Sequence, residues 1–152
     1  MDITLRTARP DDHDAVVRVI DEWWGRPIAN VLPRLFLDHF HATSLIAERD
    51  GAVAGFLIGF HSPSARDEAY VHFVGVAPAE RGSGLARRLY ETFFAAAVRD
   101  GCTRARAITS PVNTGSVAFH RAMGFTVAGP VPDYDGPGIH RIVFERALGQ
   151  PG

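Results

Sequence analysis

With 152 residues, 46% of them apolar and 22% charged, the chain has the size and composition of one domain with a sizeable hydrophobic core. Its formal net charge of −1 gives no reason to expect nucleic acid or an anionic membrane as a partner. The chain has no lysine, which excludes a lysine nucleophile, and its one cysteine, Cys102, excludes an intrachain disulfide and a cysteine-rich zinc site.

Apolar residues recur with a period of two or of about 3.6 along most of the chain, and these periods predict strands and helices respectively. In chain order the predicted elements are a strand at 3–7, a helix at about 10–24, a helix opening at Pro33, strands at 44–49, 52–61 and 70–76, a helix from Leu85 to about Asp100, a strand at 103–109, a helix at about 114–123, and strands at 125–128 and 139–147. An apolar stripe along the third helix is predicted at Leu85, Leu89, Phe93 and Ala96, and Gly124 is the expected C-terminal glycine of the fourth helix. Residues 129–138 are predicted to be loop, and the tail 149–152 to be frayed. The order β-αα-βββ-α-β-α-ββ predicts an α/β fold with one central mixed sheet and helices on both faces.

The fourth predicted strand leads into a glycine-bearing turn and the start of the long third helix. Pro78 ends the strand because it cannot donate to a sheet ladder, and Gly82 and Gly84 come just before Leu85. Free main-chain N–H groups and the positive end of the helix dipole converge at such a turn, which predicts an anion site. An ordinary turn without a ligand is the alternative. The turn is not the dinucleotide-binding fingerprint, because Arg87 stands where that fingerprint needs its last glycine.

Two motifs identify a known superfamily. Residues 76–86 contain Val76-Ala77-Pro78 followed by Arg-x-x-Gly-x-Ala, which resembles the acetyl-CoA pyrophosphate loop of the GNAT N-acetyltransferases. About thirty residues later, the segment Asn113 to Phe125 is similar to the superfamily's second motif, with Asn, then Ser-x-x-Phe, then an acid position four residues before Gly-Phe. The resemblance covers roughly residues 3–147 and implies one N-acetyltransferase domain over 1–152.

This resemblance implies acetyl-CoA as the co-substrate, and the residues themselves give no reason to expect a metal. It implies main-chain contacts from the fourth strand to the pantetheine arm and a side-chain contact from Asn113, for which a helix N-cap is the alternative role. The acetyl-CoA-binding residues that it implies are Val74, Val76, Arg81, Gly82, Ser83, Gly84, Leu85, Ala86, Asn113, Ser116 and Phe119.

His120 stands at the position where most members of the superfamily carry a tyrosine that acts as general acid. An imidazolium, with a pKa of about 6.5, transfers a proton downhill to a thiolate of about 8.5, so we expect His120 to protonate the leaving thiolate. In that role, transfer slows as the pH rises through the pKa of the histidine. The alternative is a structural histidine whose ring packs or donates to a carbonyl group.

The general base is less defined. Tyr70 and His72 are two residues apart in the fourth strand, so both side chains point to one face. Either could relay a proton through water, or both could line the pocket without titrating. Glu68, the nearest carboxylate, is expected at the strand edge or in the loop.

Other polar residues have simpler interpretations. His39 and His41 do not share a helix face, so they do not predict a metal pair. Of the two tryptophans at the end of the first helix, one is expected in the core and the other at the edge of the acceptor pocket. Five carboxylates lie in segments that flank the acceptor side in this superfamily, or form a solvated charged face: Asp21, Glu22, Asp38, Asp133 and Asp135.

Together these features predict an N-acetyltransferase in which the primary amine of a small molecule or peptide attacks acetyl-CoA directly in a ternary complex. The alternatives are an acetyl-CoA-binding sensor or interaction module with little catalysis, and a domain that binds the phosphates of another nucleotide. We expect a cytoplasmic protein, because Met1-Asp2-Ile3-Thr4 has no targeting pattern and no apolar run approaches a membrane span. The sequence neither predicts nor excludes a homodimer.

Overall fold

A computed structural model describes residues 2–149, and within them one mixed sheet of seven strands combines with four α-helices. The strands are β1 (Thr4–Thr7), β2 (Leu45–Arg49), β3 (Ala52–His61), β4 (Glu68–Val76), β5 (Arg104–Thr109), β6 (Thr126–Val131) and β7 (Arg141–Ala147). The helices are α1 (His13–Trp24), α2 (Leu35–Phe40), α3 (Leu85–Arg99) and α4 (Thr114–Ala122). This order confirms the predicted arrangement, and residues 150–152 of the tail lie outside the described residues.

The strands follow the order β1-β2-β3-β4-β5-β7-β6 across the sheet. Strands β4 and β5 run parallel, whereas β1 with β2, β2 with β3, β5 with β7 and β6 with β7 pair antiparallel. The parallel pair makes the sheet mixed, as predicted, because the chain reaches β5 from β4 through the crossover helix α3. None of the helices between residues 2 and 149 is long and apolar enough to span a membrane.

The described chain divides into two compact units. The first contains residues up to Phe60 together with Val71–Ala96. The second contains His61–Tyr70 together with residues from Ala97 onward. Each unit contributes its own set of predicted site residues, and each is described separately below.

The core of the first unit forms between α1, α2 and the strands beside them. Helix α1 buries Val16 and Ile20, which are four residues apart and lie on one face. Gly25 ends the helix in a left-handed conformation, with φ +69°, and its N–H donates to the carbonyl of Asp21 at 3.0 Å. The buried residues of this core are Ala8, Val16, Ile20, Leu32, Leu37, Ile46, Phe56 and Ile58, and both Trp23 and Trp24 pack against them.

Helix α3 follows its predicted apolar stripe with one shift. Leu85, Leu89 and Phe93 are buried as expected, but Ala97 rather than Ala96 continues the buried face. A spacing of four continues from Phe93 to Ala97, and the buried face also includes Tyr90 and Phe94. The apolar stripe of this helix is therefore wider than the sequence pattern predicts.

In the second unit, β7 lies between β5 and the edge strand β6. Phe144 of β7 is fully buried, and helix α4 packs against β7 through a ring that stacks on Phe144. Gly124 lies just beyond the helix, with φ +87°, and its N–H donates to the carbonyl of Arg121 at 3.0 Å. The predicted C-terminal glycine of this helix is thus confirmed.

Three strand boundaries differ from the prediction by two residues or more: the start of β4, the end of β6, and the start of β7, which lies at Arg141 rather than at residue 139. Strand β4 begins at Glu68 rather than at Tyr70, because Glu68 pairs with Arg104 of β5 both in the ladder and through an ion pair of 3.1 Å. Strand β6 continues to Val131 rather than ending at Ala128, since pairing with β7 resumes after a two-residue irregularity. That irregularity contains Pro130, which an edge strand tolerates.

Candidate functional site

In the first unit, the segment that follows β4 forms a tight turn and then an open loop. A 3-10 turn spans Pro78–Glu80, and the carbonyl of Glu80 accepts hydrogen bonds from the N–H and the hydroxyl of Ser83, at 3.1 and 2.5 Å. Gly82 and Gly84 both adopt left-handed backbone, with φ +81° and +87°. A Cβ built on either glycine would meet no atom within 4 Å, so the space beside the loop is open to a ligand.

Helix α3 begins directly after this loop. Leu85 is 2% exposed and anchors the first turn in the core, whereas Arg81 is exposed and Ala86 is half-buried. The N–H groups of a first helical turn have no acceptor within the helix, and the helix dipole makes this end positive. Because both donors of Ser83 are used inside the turn, the main-chain groups after it are the ones that fit an anion.

Strand β4 carries Val74 and Val76, the two residues expected to contact the pantetheine arm through the main chain. Both are half-buried, and Gly75 between them is buried. A Cβ on Gly75 would lie 2.6 Å from two ring carbons of Phe56 and 3.0 Å from the ring of Trp24. Glycine is therefore required here so that this strand can lie directly against the aromatic core.

His72, also on β4, is held in place by two neighbours. Its ring stacks on Phe36, with centroids 4.0 Å apart and planes 4° apart, and its Nε2 lies 2.8 Å from the carbonyl oxygen of Val31. A carbonyl oxygen can only accept, so Nε2 carries a proton and, in the neutral ring, Nδ1 is the acceptor. Burial lowers the pKa of His72 below its ordinary value of 6.5.

In the second unit, Asn113 caps helix α4. Its side-chain oxygen accepts from the N–H of Ser116 at 3.2 Å, and its amide nitrogen donates to the hydroxyl of Thr109 at 3.2 Å. The N-cap role that the sequence left open for Asn113 is therefore present. The Asn113 side chain is exposed, so the cap does not exclude a ligand contact.

His120 lies in the last turn of α4, with its ring buried among phenylalanines. The ring stacks on Phe144 at 4.0 Å with planes 4° apart, and meets Phe125 and Phe119 edge-on at 5.0 and 5.6 Å. Nδ1 donates to the carbonyl of Ser116 at 2.8 Å. Burial lowers the pKa of His120, and the bond to Ser116 opposes that shift. The neutral ring carries its proton on Nδ1, so His120 can donate through Nε2 only as the imidazolium.

Tyr70 belongs to the second unit, where β4 pairs with β5. It lies opposite Arg106 in the ladder and is half-buried. Burial raises the pKa of Tyr70 to about 12, with further contributions from Tyr134 and Asp135 that raise it and from Arg106 that lowers it. Tyr70 therefore remains protonated over the physiological range, and its phenol can donate a hydrogen bond but cannot act as a base by ionising.

Two of the acidic residues that the sequence associates with an acceptor, Asp21 and Asp135, have structural partners. A carboxylate oxygen of Asp21 accepts from the N–H groups of Ile28 and Ala29 at 3.0 and 2.9 Å and orders the chain after α1. Asp135, in the loop between β6 and β7, forms an ion pair of 2.7 Å with Arg141 at the start of β7. Between residues 2 and 149, no group of three or more His, Cys, Asp and Glu side chains is arranged to hold a metal ion.

Sequence reasoning missed three residues that shape the first unit's site. Gly75 carried a usable signal, since an isolated glycine in a strand pattern indicates a close approach of another group. Glu80 and Arg49 carried none, because their ion pair of 2.8 Å joins residues that are 31 positions apart. A contact over that separation cannot be read from local periodicity.

The chain has clear relatives. The family model described as "Acetyltransferase (GNAT) family" matches residues 4–125. An L-2,4-diaminobutyric acid acetyltransferase from Nocardia farcinica is 34% identical over 89 residues, which cover 59% of this chain and 46% of the relative. A 5-NmdU N-acetyltransferase from Pseudomonas phage PaMx11 is 29% identical over 132 residues, which cover 84% of this chain and 89% of the relative.

Solved structures share the fold. The diaminobutyrate acetyltransferase EctA from Paenibacillus lautus, in complex with L-2,4-diaminobutyric acid and coenzyme A, matches with a TM-score of 0.75 and 20% identity over 99% of each chain. Identity at that level shows a common fold. The chain spans about half the length of the first curated diaminobutyric acid acetyltransferases that it matches, from 28% to 52% of each.

Proposed function

This chain belongs to the acetyltransferase (GNAT) family, and from that premise we propose that it transfers the acetyl group of acetyl-CoA to a primary amine. One observation carries the proposal: Gly82 and Gly84 are both left-handed, both open to solvent, and directly precede the 15-residue helix α3. Such a loop offers main-chain N–H groups and a positive helix end to a pyrophosphate. These residues fit the cofactor that the sequence motif implies.

We propose that the amine attacks the acetyl group of acetyl-CoA directly. Acetyl-CoA, when bound, supplies an activated acyl group as a thioester. The chain offers neither of the usual amine and thiol nucleophiles to take that group first, because it has no lysine and its one cysteine, Cys102, is buried. Burial also raises the pKa of the Cys102 thiol, which keeps it protonated. Amine and acetyl-CoA must therefore be held together in a ternary complex.

We assign the acid role to His120 in its imidazolium form. Nδ1 is engaged with the Ser116 carbonyl, so Nε2 would deliver the proton to the leaving thiolate. The lowered pKa makes this form scarce at neutral pH, but it also makes the ring a stronger acid when charged. The same burial supports the alternative role, in which the ring only packs against Phe144.

For removal of the amine proton, His72 is the better candidate of the two strand residues. Its Nδ1 lone pair is available in the neutral ring, and its lowered pKa keeps the ring neutral above pH 6.5. Tyr70, with a pKa of about 12, serves as a hydrogen-bond donor to water or acceptor instead. His72 would accept the proton at Nδ1 through water, while its Nε2 stays bound to the Val31 carbonyl.

We propose a small-molecule amine as the acceptor. The support comes from relatives: the Nocardia protein and the Paenibacillus structure are both named for diaminobutyrate acetylation. The phage relative, which aligns over more of this chain, is named for a different acceptor, 5-NmdU. L-2,4-diaminobutyric acid is thus the first acceptor to test, and 5-NmdU is the second.

The test is release of free CoA thiol from acetyl-CoA by the purified chain, with these acceptors and a panel of other amines, amino acids and peptides, between pH 6 and 9. Release that depends on one acceptor class would support the proposal and name the substrate. Saturable acetyl-CoA binding without release for any acceptor would favour the binding-module alternative, and absence of binding would contradict both.

A matched pair of glycine substitutions tests the loop. Gly84 and Gly101 lie just before and just after α3, have φ of +87° and +94°, and have no atom within 4 Å of an added Cβ. Gly84→Ala and Gly101→Ala therefore impose similar backbone strain. We expect only Gly84→Ala to raise the KM for acetyl-CoA. An equal rise in both variants would mean that strain, and not ligand contact, is responsible.

A further inference from the structure

Glu80 lies at the junction between the turn after β4 and the loop that carries Gly82 and Gly84. Its N–H donates to the carbonyl of Ala77 at 2.8 Å, and its own carbonyl accepts both hydrogen bonds from Ser83. The main chain of this single residue thus closes the turn before it and the loop after it. A displacement of Glu80 would move the start of the loop as well.

The side chain of Glu80 is held by Arg49 through a two-point ion pair. Arg49 Nε donates to Oε2 of Glu80 at 2.8 Å, and Arg49 Nη2 donates to Oε1 at 3.2 Å. The Glu80 side chain is 12% exposed and that of Arg49 is 37% exposed. A paired arrangement of guanidinium and carboxylate fixes orientation as well as distance, which a single charge contact does not.

Arg49 itself comes from a well-defined hairpin. It is the last residue of β2 and pairs with Ala52 at the start of β3, across the tight turn at Asp50 and Gly51. Strand β3 also contacts the segment after β4 directly, since the carbonyl of Ala54 accepts from the N–H of Ala77 at 2.9 Å. The hairpin therefore holds the loop's base by one main-chain and one side-chain connection.

We propose that Arg49 is a positioning residue for the acetyl-CoA loop, acting through Glu80 and not by touching the ligand. The inference rests on the proposed function, because it assumes that the loop binds acetyl-CoA. Its physical basis is preorganisation: a loop held in its binding geometry before the ligand arrives loses less conformational entropy on binding. Loss of the pair should weaken cofactor binding and leave the chemical step intact.

A double-mutant cycle tests this role. Arg49→Met and Glu80→Met are each expected to raise the KM for acetyl-CoA and the Kd for CoA, measured by calorimetry, by about 5- to 30-fold. The kcat and the KM for the acceptor should stay nearly unchanged. The double variant should resemble either single variant, because both remove the same interaction. Arg49→Lys, which keeps the charge but loses the two-point geometry, should fall between wild type and Arg49→Met.

The ion pair of Arg104 and Glu68 provides a matched control. Its shortest distance is 3.1 Å and its side chains are 40% and 13% exposed, close to the values of the Arg49–Glu80 pair. Arg104→Met should therefore have a similar effect on thermal stability without raising the KM for acetyl-CoA. If it raises that KM as much as Arg49→Met does, the effect is general destabilisation and the inference is wrong.

Two further results would overturn the inference. Additive effects of Arg49→Met and Glu80→Met on the Kd would mean that Arg49 contacts the ligand itself. Unchanged hydrogen exchange at the amides of 81–86 in the ligand-free variants would mean that the pair does not order the loop. Absence of CoA binding by the unsubstituted chain would instead contradict the proposed function, while the exchange measurement would still decide whether the pair orders the loop.

Discussion

Replacing Gly75 by alanine tests the packing beneath β4. The added Cβ would lie 2.6 Å from two ring carbons of Phe56, whereas ordinary carbon contacts are about 3.5–4.0 Å, so strand or ring must move by about 1 Å. Phe56 is fully buried, stacks on Trp23 at 6.0 Å and meets Phe73 edge-on at 5.6 Å, so it has little room to retreat. Trp24, at 3.0 Å from the same Cβ, limits movement of the strand.

The expected cost follows from this crowding. Overpacking a well-packed core costs about 1–3 kcal/mol, and the upper half of that range applies because the nearest atoms belong to a buried ring. For a chain of this length, about 2–3 kcal/mol corresponds to a fall of roughly 5–10 °C in the melting temperature. Because Gly75 lies between Val74 and Val76, a displaced strand should also raise the KM for acetyl-CoA.

The assay is urea and thermal unfolding of Gly75→Ala, followed by circular dichroism and tryptophan fluorescence. Gly115→Ala is the control, since Gly115 lies in α4, has no atom within 4 Å of an added Cβ and is not left-handed. That substitution should leave stability unchanged or raise it by up to about 1 kcal/mol. If Gly75→Ala unfolds at the same midpoint as the control, β4 does not lie close enough to Phe56 to exclude a Cβ at residue 75.

Three further predictions concern the titrating and capping groups. The imidazole pKa values of His120 and His72, measured by NMR, should both lie below 6.5, because burial disfavours the charged rings. The unfolded chain then binds more protons, so the free energy of unfolding should fall as the pH drops from 6.5 through the folded-state values, an effect measured by urea titrations at several pH values. Tyr70→Phe should leave the shape of the kcat profile between pH 6 and 9 unchanged, since a pKa of about 12 lies outside that range. Asn113→Ala should cost about 0.5–2 kcal/mol of stability by removing the cap, whereas Asn113→Ser should keep most of it, both measured by thermal unfolding.

Each of these has a clear contrary result. A pKa for His120 at or above 6.5 would mean that its ring is better hydrated than the stack on Phe144 allows. A basic limb of the kcat profile that disappears in Tyr70→Phe would show that Tyr70 ionises. If Asn113→Ser recovers stability but not the KM for acetyl-CoA, the amide contacts the ligand; recovery of both would assign Asn113 to capping alone.

Much of the fold could be predicted because it depends on local pattern. Strand β3 matches its predicted bounds, and the starts of α3 and α4 and the glycine after α4 do as well, since periodicity and glycine placement specify them. The strand boundaries that failed at Glu68 and Val131 depend on pairing partners far away in the sequence. Glu68 and the Gly129-Pro130 pair locally indicate a loop, yet the segments that contain them pair with neighbouring strands.

The sequence motifs were sufficient to indicate the family, and they predict an anion site at the loop and an acid role for His120. They could not indicate that His120 is stacked on Phe144, that burial makes the Tyr70 phenol too weak an acid to ionise near neutral pH, or that Arg49 pairs with Glu80. Those properties arise where residues far apart in the sequence come together, or where burial removes water from an ionisable group. A motif specifies which residue types stand near one another in the chain, whereas a pKa or a loop conformation depends on everything packed around them.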